Sequence, residues 1–434
     1  MTPVAALLLA ALSPVAHGVD THVEGFAELR GQWSAGVDGQ QLLMVERFRP
    51  TFEASLSKRV ALSSTIEVNL SQGRRTQTEL QRVLENSDLG PMLEAGQCEW
   101  PTPDNELLWT DEASDYVYVD RLYMDVYLPK ADIRVGRQAL QWGSALMVNP
   151  TDPFPQVLLL TPWLPRAGVN SAKVSLPLGE AGLIQAAVGA DDDFQGLRSA
   201  LRTTVNVLET DWSLVGAWRQ DARNGVVGVD IKGTLGVGFW LEGAVHLDAS
   251  DRHTDPYEEL AVGLDYSLPV LEMMTLAAQY YRNGAGTTEP AGGGAMGGLT
   301  DAVEMPTCTG IDLGDALGGG SATPDPFAPV FGGKNYLMAV MSLGISPEVG
   351  LSGAWVQNLD DASGMVVPTI SAFPLEWLEV TAAAQVPITF TGESGELRPS
   401  GDDLVLTDPS GALSIDFSGM VPSTTFLLWS RFSF

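Results

Sequence analysis

Charged side chains of both signs stand two residues apart, or multiples of two, along the N-terminal third of this 434-residue chain. Arg30, Arg47, Arg49, Arg121, Arg134 and Lys173 share polar faces with Glu28, Glu53, Glu67 and Asp125. Guanidinium groups bind carboxylates in paired hydrogen bonds. Such a face either carries a basic stripe that orients polar solutes or is stiffened by cross-strand ion pairs. Tyr123 and Tyr127 lie on the face of Arg121 and Asp125, where they either stack on sugar rings or belong to an interfacial aromatic belt. Covalent chemistry finds little material. His22, His246 and His253 come with no G-x-S-x-G elbow and no paired metal-ligand spacing. His246 reads as a hydrogen-bonded structural histidine. Two cysteines cannot supply a four-ligand zinc site. Neither an enzyme, a metal centre nor a cofactor is expected.

The elements that must present these side chains are strands. Apolar residues make up 45% of the chain and charged residues only 18%, against roughly 25% charged in soluble domains. After the N-terminus no apolar run reaches the length of a spanning helix. The formal charge of -30, from 54 acids and 24 bases, excludes a phosphate-binding surface for nucleic acid and a peripheral anchor on anionic lipid. Residues 1–18 read as a signal peptide, with an apolar core Val4–Leu12, a break at Pro14 and small residues in Ala16-His17-Gly18. Residues 19–434 then form one barrel domain.

Within it, period-two segments dominate. In Val60–Ser71, Val60, Leu62, Ile66, Val68 and Leu70 face one way and Ser63, Thr65, Glu67 and Asn69 the other. Thr234–Leu247, Leu260–Leu268 and Leu378–Phe390 repeat the pattern. Their length suits tilted strands crossing a membrane. Short links such as Ser57–Arg59, Pro129–Ala131 and Pro269–Glu272 alternate with long segments, chiefly Gly73–Ser114, Gln141–Gly168, Asn283–Lys334 and Thr391–Gly411. The expected fold is therefore an all-β transmembrane antiparallel barrel with short periplasmic turns and long extracellular loops. It has about eighteen strands, or sixteen if the poorly alternating Trp212–Arg219 and Gly364–Phe373 do not count. The excess acid then sits in outer loops, as at Asp191-Asp192-Asp193. Cys98 and Cys308 both fall in outer loops, and an oxidising compartment favours a disulfide between them.

Phe426, Leu428, Phe432 and Phe434 alternate back from the terminal residue. This resembles the C-terminal strand signature by which the assembly machinery of bacterial outer membranes recognises its barrels. The segment Val135–Phe154, VGRQALQWGSALMVNPTDPF, resembles a motif of porin-like outer-membrane proteins through Gly136, Arg137, Gln138, Trp142, Gly143, Asn149, Asp152 and Phe154. Arg137 breaks the alternation of its strand, so a bulge or strand end is expected there. The architecture is also similar to the alginate-export class, whose barrels pass polysaccharide with a periplasmic partner. That likeness implies a channel in the outer membrane, with export of a weakly charged polysaccharide as the leading expectation. One alternative is a diffusion porin for small polar solutes; Gln141–Gly168 reads as its constriction loop, or equally as the gate of an exporter. The other is a surface structural or adhesive barrel.

Overall fold

The computed structural model describes residues 20–38, 41–73, 76–99, 116–154, 166, 168–190, 197–220, 224–248, 256–288, 307–308, 331–391, 395–399, 405–407 and 414–434. The signal-peptide segment and Asp191–Asp193 lie outside them. Eighteen strands form one closed antiparallel sheet. They are β1 (Asp20–Ala35), β2 (Leu42–Ser57), β3 (Val60–Gly73), β4 (Tyr116–Leu128), β5 (Ala131–Gln138) and β6 (Val169–Pro177). Next come β7 (Gly182–Ala190), β8 (Arg198–Val207), β9 (Thr210–Arg219), β10 (Asn224–Thr234), β11 (Gly238–Asp248) and β12 (Tyr257–Leu268). The last are β13 (Met273–Asn283), β14 (Asn335–Ser346), β15 (Val349–Asn358), β16 (Ser363–Leu375), β17 (Leu378–Thr389) and β18 (Thr424–Ser433). Each strand pairs with the next, and β1 closes on β18 from Phe26↔Ser433 to Ala35↔Thr424. No edge is left unpaired.

Closure satisfies the backbone of a chain that must sit in hydrocarbon. The side chains complete the case. Leu201, Leu214, Val229, Leu241, Val262 and Ile370 are exposed, and they alternate with Arg202, Ser213, Asp230, Glu242, Ala261 and Thr369 on the inner face. Trp33, Trp212, Trp218, Tyr266, Trp377 and Phe432 join the outer apolar surface, as expected of an aromatic girdle. No described helix is long and apolar enough to cross a membrane; the strands do the crossing. This is a membrane-spanning barrel of the bacterial outer-membrane kind.

One sequence expectation changes and two are met. The run Thr234–Leu247 is interrupted by a turn at Leu235–Val237, which joins β10 to β11. Trp212–Arg219 and Gly364–Phe373 lie within strands β9 and β16, so the count is eighteen rather than sixteen. The strand carrying Arg137 ends at Gln138, and its pairing with β4 stops at Arg137 itself. The bulge lies on the neighbouring strand, where the register shifts opposite Thr65 and Ile66 and makes Asp120 the extra residue. At Arg137 the chain uses a glycine instead, since Gly136 takes φ +126°.

The outer loops are partly structured. Two short helices, Thr76–Glu85 and Gly90–Glu94, follow β3. Beyond them Cys98 pairs with Cys308 across a two-residue antiparallel bridge. Cys98 is disulfide-bonded, and among the described residues no cysteine is free. At the other end the terminal strand locks onto β1: Gly25 N donates to Phe434 O at 3.1 Å and Phe434 N donates to Gly25 O at 3.0 Å. The Phe434 ring stacks on Phe48 at 5.7 Å and Phe432 on Trp377 at 6.1 Å.

Two outcomes are expected. Replacing Phe432 and Phe434 together with Ser removes both stacked contacts at the closing seam. It should lower the fraction of protein that runs as the folded, heat-modifiable form on gels; an unchanged fraction counts against the seam as the assembly determinant. Mass analysis of alkylated, unreduced protein should show no thiol adduct, and reduction should add two. Two adducts without reduction would dispose of the disulfide.

Candidate functional site: a loop folded into the lumen

The segment after β5 does not run out over the rim. Gln138 is fully buried and donates to Ser171 O at 3.2 Å, which turns the chain inward. Leu140, Trp142 and Phe154 then pack on the inner-face residues Ala187, Ala200 and Val215 of β7, β8 and β9. The Trp142 and Phe154 rings meet edge to face at 5.4 Å. Further along, Ala145, Met147 and Val148 join Trp240, Ala261, Tyr281, Tyr336, Met338 and Val367 in a second cluster inside the barrel. The loop thus follows the inner wall from β5 across to β16. Its burial makes an apolar core within what the alternation marks as a polar lumen.

A loop buried there must satisfy its own backbone. The acceptor is Glu242 of β11, which is 0% exposed. Its carboxylate accepts the backbone N–H groups of Ser144 and Ala145. It also accepts the N–H and hydroxyl of Thr151 at 3.3 and 2.9 Å. Gln279 of β13 completes the dock. Its oxygen accepts Leu146 N and Trp240 Nε1, both at 3.0 Å, and its amide donates to Val148 O at 3.1 Å. The Ser144 hydroxyl donates to Asp230, which Arg202 also reaches at 2.7 Å. Gly143 takes φ +84°. A Cβ there would stand 2.7 Å from Asn149 Oδ1 and 2.9 Å from Glu242 Oε1, so glycine lets the loop approach its acceptor. On the return, Asp152 N donates to Asn149 O at 3.1 Å, and Arg166 reaches Asp152 at 2.8 Å and Leu140 O at 2.8 Å. Burial pushes the Asp152 carboxyl up to about 6, against the pull of Arg166. All eight motif residues therefore lie on the strand end or on this loop.

The wall from β1 to β5 is charged. Arg47 and Arg49 both pair with Glu67, and Arg49 also pairs with Asp120. The bulge turns the consecutive residues Asp120 and Arg121 inward together, and they pair at 3.1 Å. Arg134 holds Asp125 at 2.6 and 2.9 Å and lies over the Tyr123 ring at 4.1 Å. Glu28 takes Arg431 at 2.8 Å and Arg30 at 3.7 Å. Glu53 stays exposed on β2. Arg30, Arg47, Glu67 and Asp120 are buried, so these are not the water-exposed pairs that the alternation suggests. Removing the arginines alone would strand buried carboxylates, a loss of about 3–5 kcal/mol where a buried pair is broken. His246 lies 3.2 Å from Glu259 and stacks on Tyr257 at 4.4 Å.

Sequence reasoning missed Glu242, Asp230, Gln279, Asp120 and Arg166. Glu242 stood on a recognised polar face, but its partners are about a hundred positions away in the chain, and no local spacing connects them.

The fold is shared with solved bacterial barrels. The chain is similar to Pseudomonas aeruginosa OpdK with vanillate, at TM-score 0.53 and 10% identity over 96% of this chain and 98% of that one. It is similar to Pseudomonas aeruginosa OccK5 (OpdH), at 0.52 and 9% over 96% and 97%. It also resembles the outer membrane protein OprD from Pseudomonas aeruginosa, at 0.50 and 9% over 95% and 94%. No protein-family model and no curated protein matches the chain. At such identity the likeness concerns the fold.

Glu242→Ala removes the acceptor of three backbone donors, each of which costs about 1–3 kcal/mol when buried without a partner. The barrel should still assemble, since the sheet is untouched. The loop should leave its dock, with larger single-channel conductance or added current noise in planar bilayers. Conductance and noise identical to the parent protein would show that Glu242 does not hold the loop.

Proposed function

We propose that this protein is an outer-membrane diffusion channel for small polar solutes. The observation that carries the reading is the docked loop from Leu140 to Phe154, which occupies lumen space and is fixed by a buried carboxylate and a buried amide. A fixed constriction suits selective passage of small molecules. A polymer in transit would need the loop to leave its dock, breaking several hydrogen bonds at once. A further point supports this reading over polysaccharide export with a periplasmic partner: the similar barrels include one solved with vanillate. An adhesive role has only the acidic composition behind it.

In this reading Arg30, Arg47, Arg49, Glu53, Glu67, Arg121, Tyr123, Asp125 and Arg134 form the charged side of the passage. The apolar loop forms the other. Solutes cross a transverse field between them. Export by a signal peptide and insertion through the barrel-assembly machinery bring the chain to the outer membrane.

Purified protein in planar bilayers should show steady open channels. A deletion strain should take up small polar solutes more slowly while its surface polysaccharide stays at the parental level. A barrel that is closed by default, together with loss of surface polysaccharide from the deletion strain, would restore the export reading.

A further inference from the structure

Most inner-face charges are matched: Arg49 with Glu67 and Asp120, Arg134 with Asp125, Arg202 with Asp230, Arg431 with Glu28. Lys232 of β10 and Asp265 of β12 depart from this rule, as Glu53 and Lys173 do on the opposite wall. Neither Lys232 nor Asp265 makes a hydrogen bond or ion pair with a described residue. Both line one cavity of about 400 Å³ directly beneath the docked loop, whose Ser144 and Leu146 also line it. Trp240, Val340 and Val367 give the same cavity an apolar wall. Two glycines shape it. Asp265 lies across Gly238, where a Cβ would come within 2.2 Å of the carboxylate, and the Trp240 indole lies across Gly263 at the same distance. Both side chains are laid into place by backbone that carries none of its own.

We propose that this cavity is a binding station for zwitterionic solutes with an apolar body, an inference that rests on the diffusion-channel reading. A solute carboxylate would meet the Lys232 ammonium, a solute ammonium the Asp265 carboxylate, and the apolar body the Trp240 wall. One strand separates the two charged residues and their register differs by two positions, so their backbones stand roughly 12 Å apart at two strand spacings and two residue rises. A simple anion or cation would satisfy one charge and leave the other facing water. A neutral apolar molecule would satisfy neither. Opposite charges flanking an apolar wall select for a molecule that carries both signs on one side.

Isothermal titration of the detergent-solubilised protein with L-phenylalanine as probe tests this directly. The comparison ligands are L-phenylalaninamide, which lacks the carboxylate, and N-acetyl-L-phenylalanine, which lacks the ammonium. Each should bind about tenfold or more weakly, as expected where a charge-assisted contact is lost. Lys232→Gln should erase the preference for phenylalanine over its amide, and Asp265→Asn the preference over the N-acetyl derivative. Both variants should retain the heat-modifiable form, since neither side chain has a hydrogen bond or ion pair to lose among the described residues. Equal affinity for the three ligands, absence of phenylalanine binding, or variants that leave the preferences unmoved would each overturn the proposal. The same binding pattern in a protein that carries no current would leave the station standing and remove the channel reading instead.

Discussion

The buried contact between Glu242 and the loop governs how the lumen is divided. A peptide segment placed inside a barrel leaves water and must find hydrogen-bond partners for its own N–H and C=O groups. β11 supplies them through one carboxylate that gathers the Ser144, Ala145 and Thr151 donors, and β13 through one amide. With these satisfied, Trp142, Met147, Val148 and Phe154 can bury apolar surface against the wall. The hydrogen bonds fix where the loop lies, and the apolar contacts give it reason to stay.

Docking on one side sets the character of the other. The loop covers the inner wall from β7 round to β16, and those strands present Ala187, Ala200, Val215, Ala261, Met338 and Val367 to it. On β1 to β5 and β18, which the loop leaves uncovered, arginines and carboxylates pair across strands. Inside a barrel such pairs are shielded from solvent and depend on their geometry. The bulge at Asp120 serves this purpose, since it turns two successive charged residues to the same face. A solute moving past the loop meets apolar surface on one side and a nearly neutral ionic lattice on the other.

Much of this was legible in the chain. The alternation of Val60–Ser71, the terminal aromatics Phe426, Phe432 and Phe434, and the alternating link lengths suffice for a closed membrane barrel, because side-chain period and strand length are local properties. The two segments that alternate poorly hold a further signal. Trp212–Arg219 and Gly364–Phe373 carry Val215, Ala217, Met365 and Val367 on the inner face, where polar residues are expected. The structure packs these residues in or against the loop-bearing clusters. Their broken alternation marks a second body inside the barrel.

What the sequence determined by itself is the architecture: strand faces, membrane belt, turn sides and the segment Val135–Phe154 as a special one. What only the tertiary structure decided is where that segment lies and which groups hold it. Glu242, Gln279 and Asp230 reach the loop across a closed sheet, from positions roughly a hundred residues away. The same holds for the arginines. Their inward face follows from alternation, but whether each is buried in a pair or open to solute depends on strands that closure alone makes neighbours. Periodicity reports which way a side chain faces, whereas its partner depends on long-range register, and in a barrel that register is fixed only when the last strand meets the first.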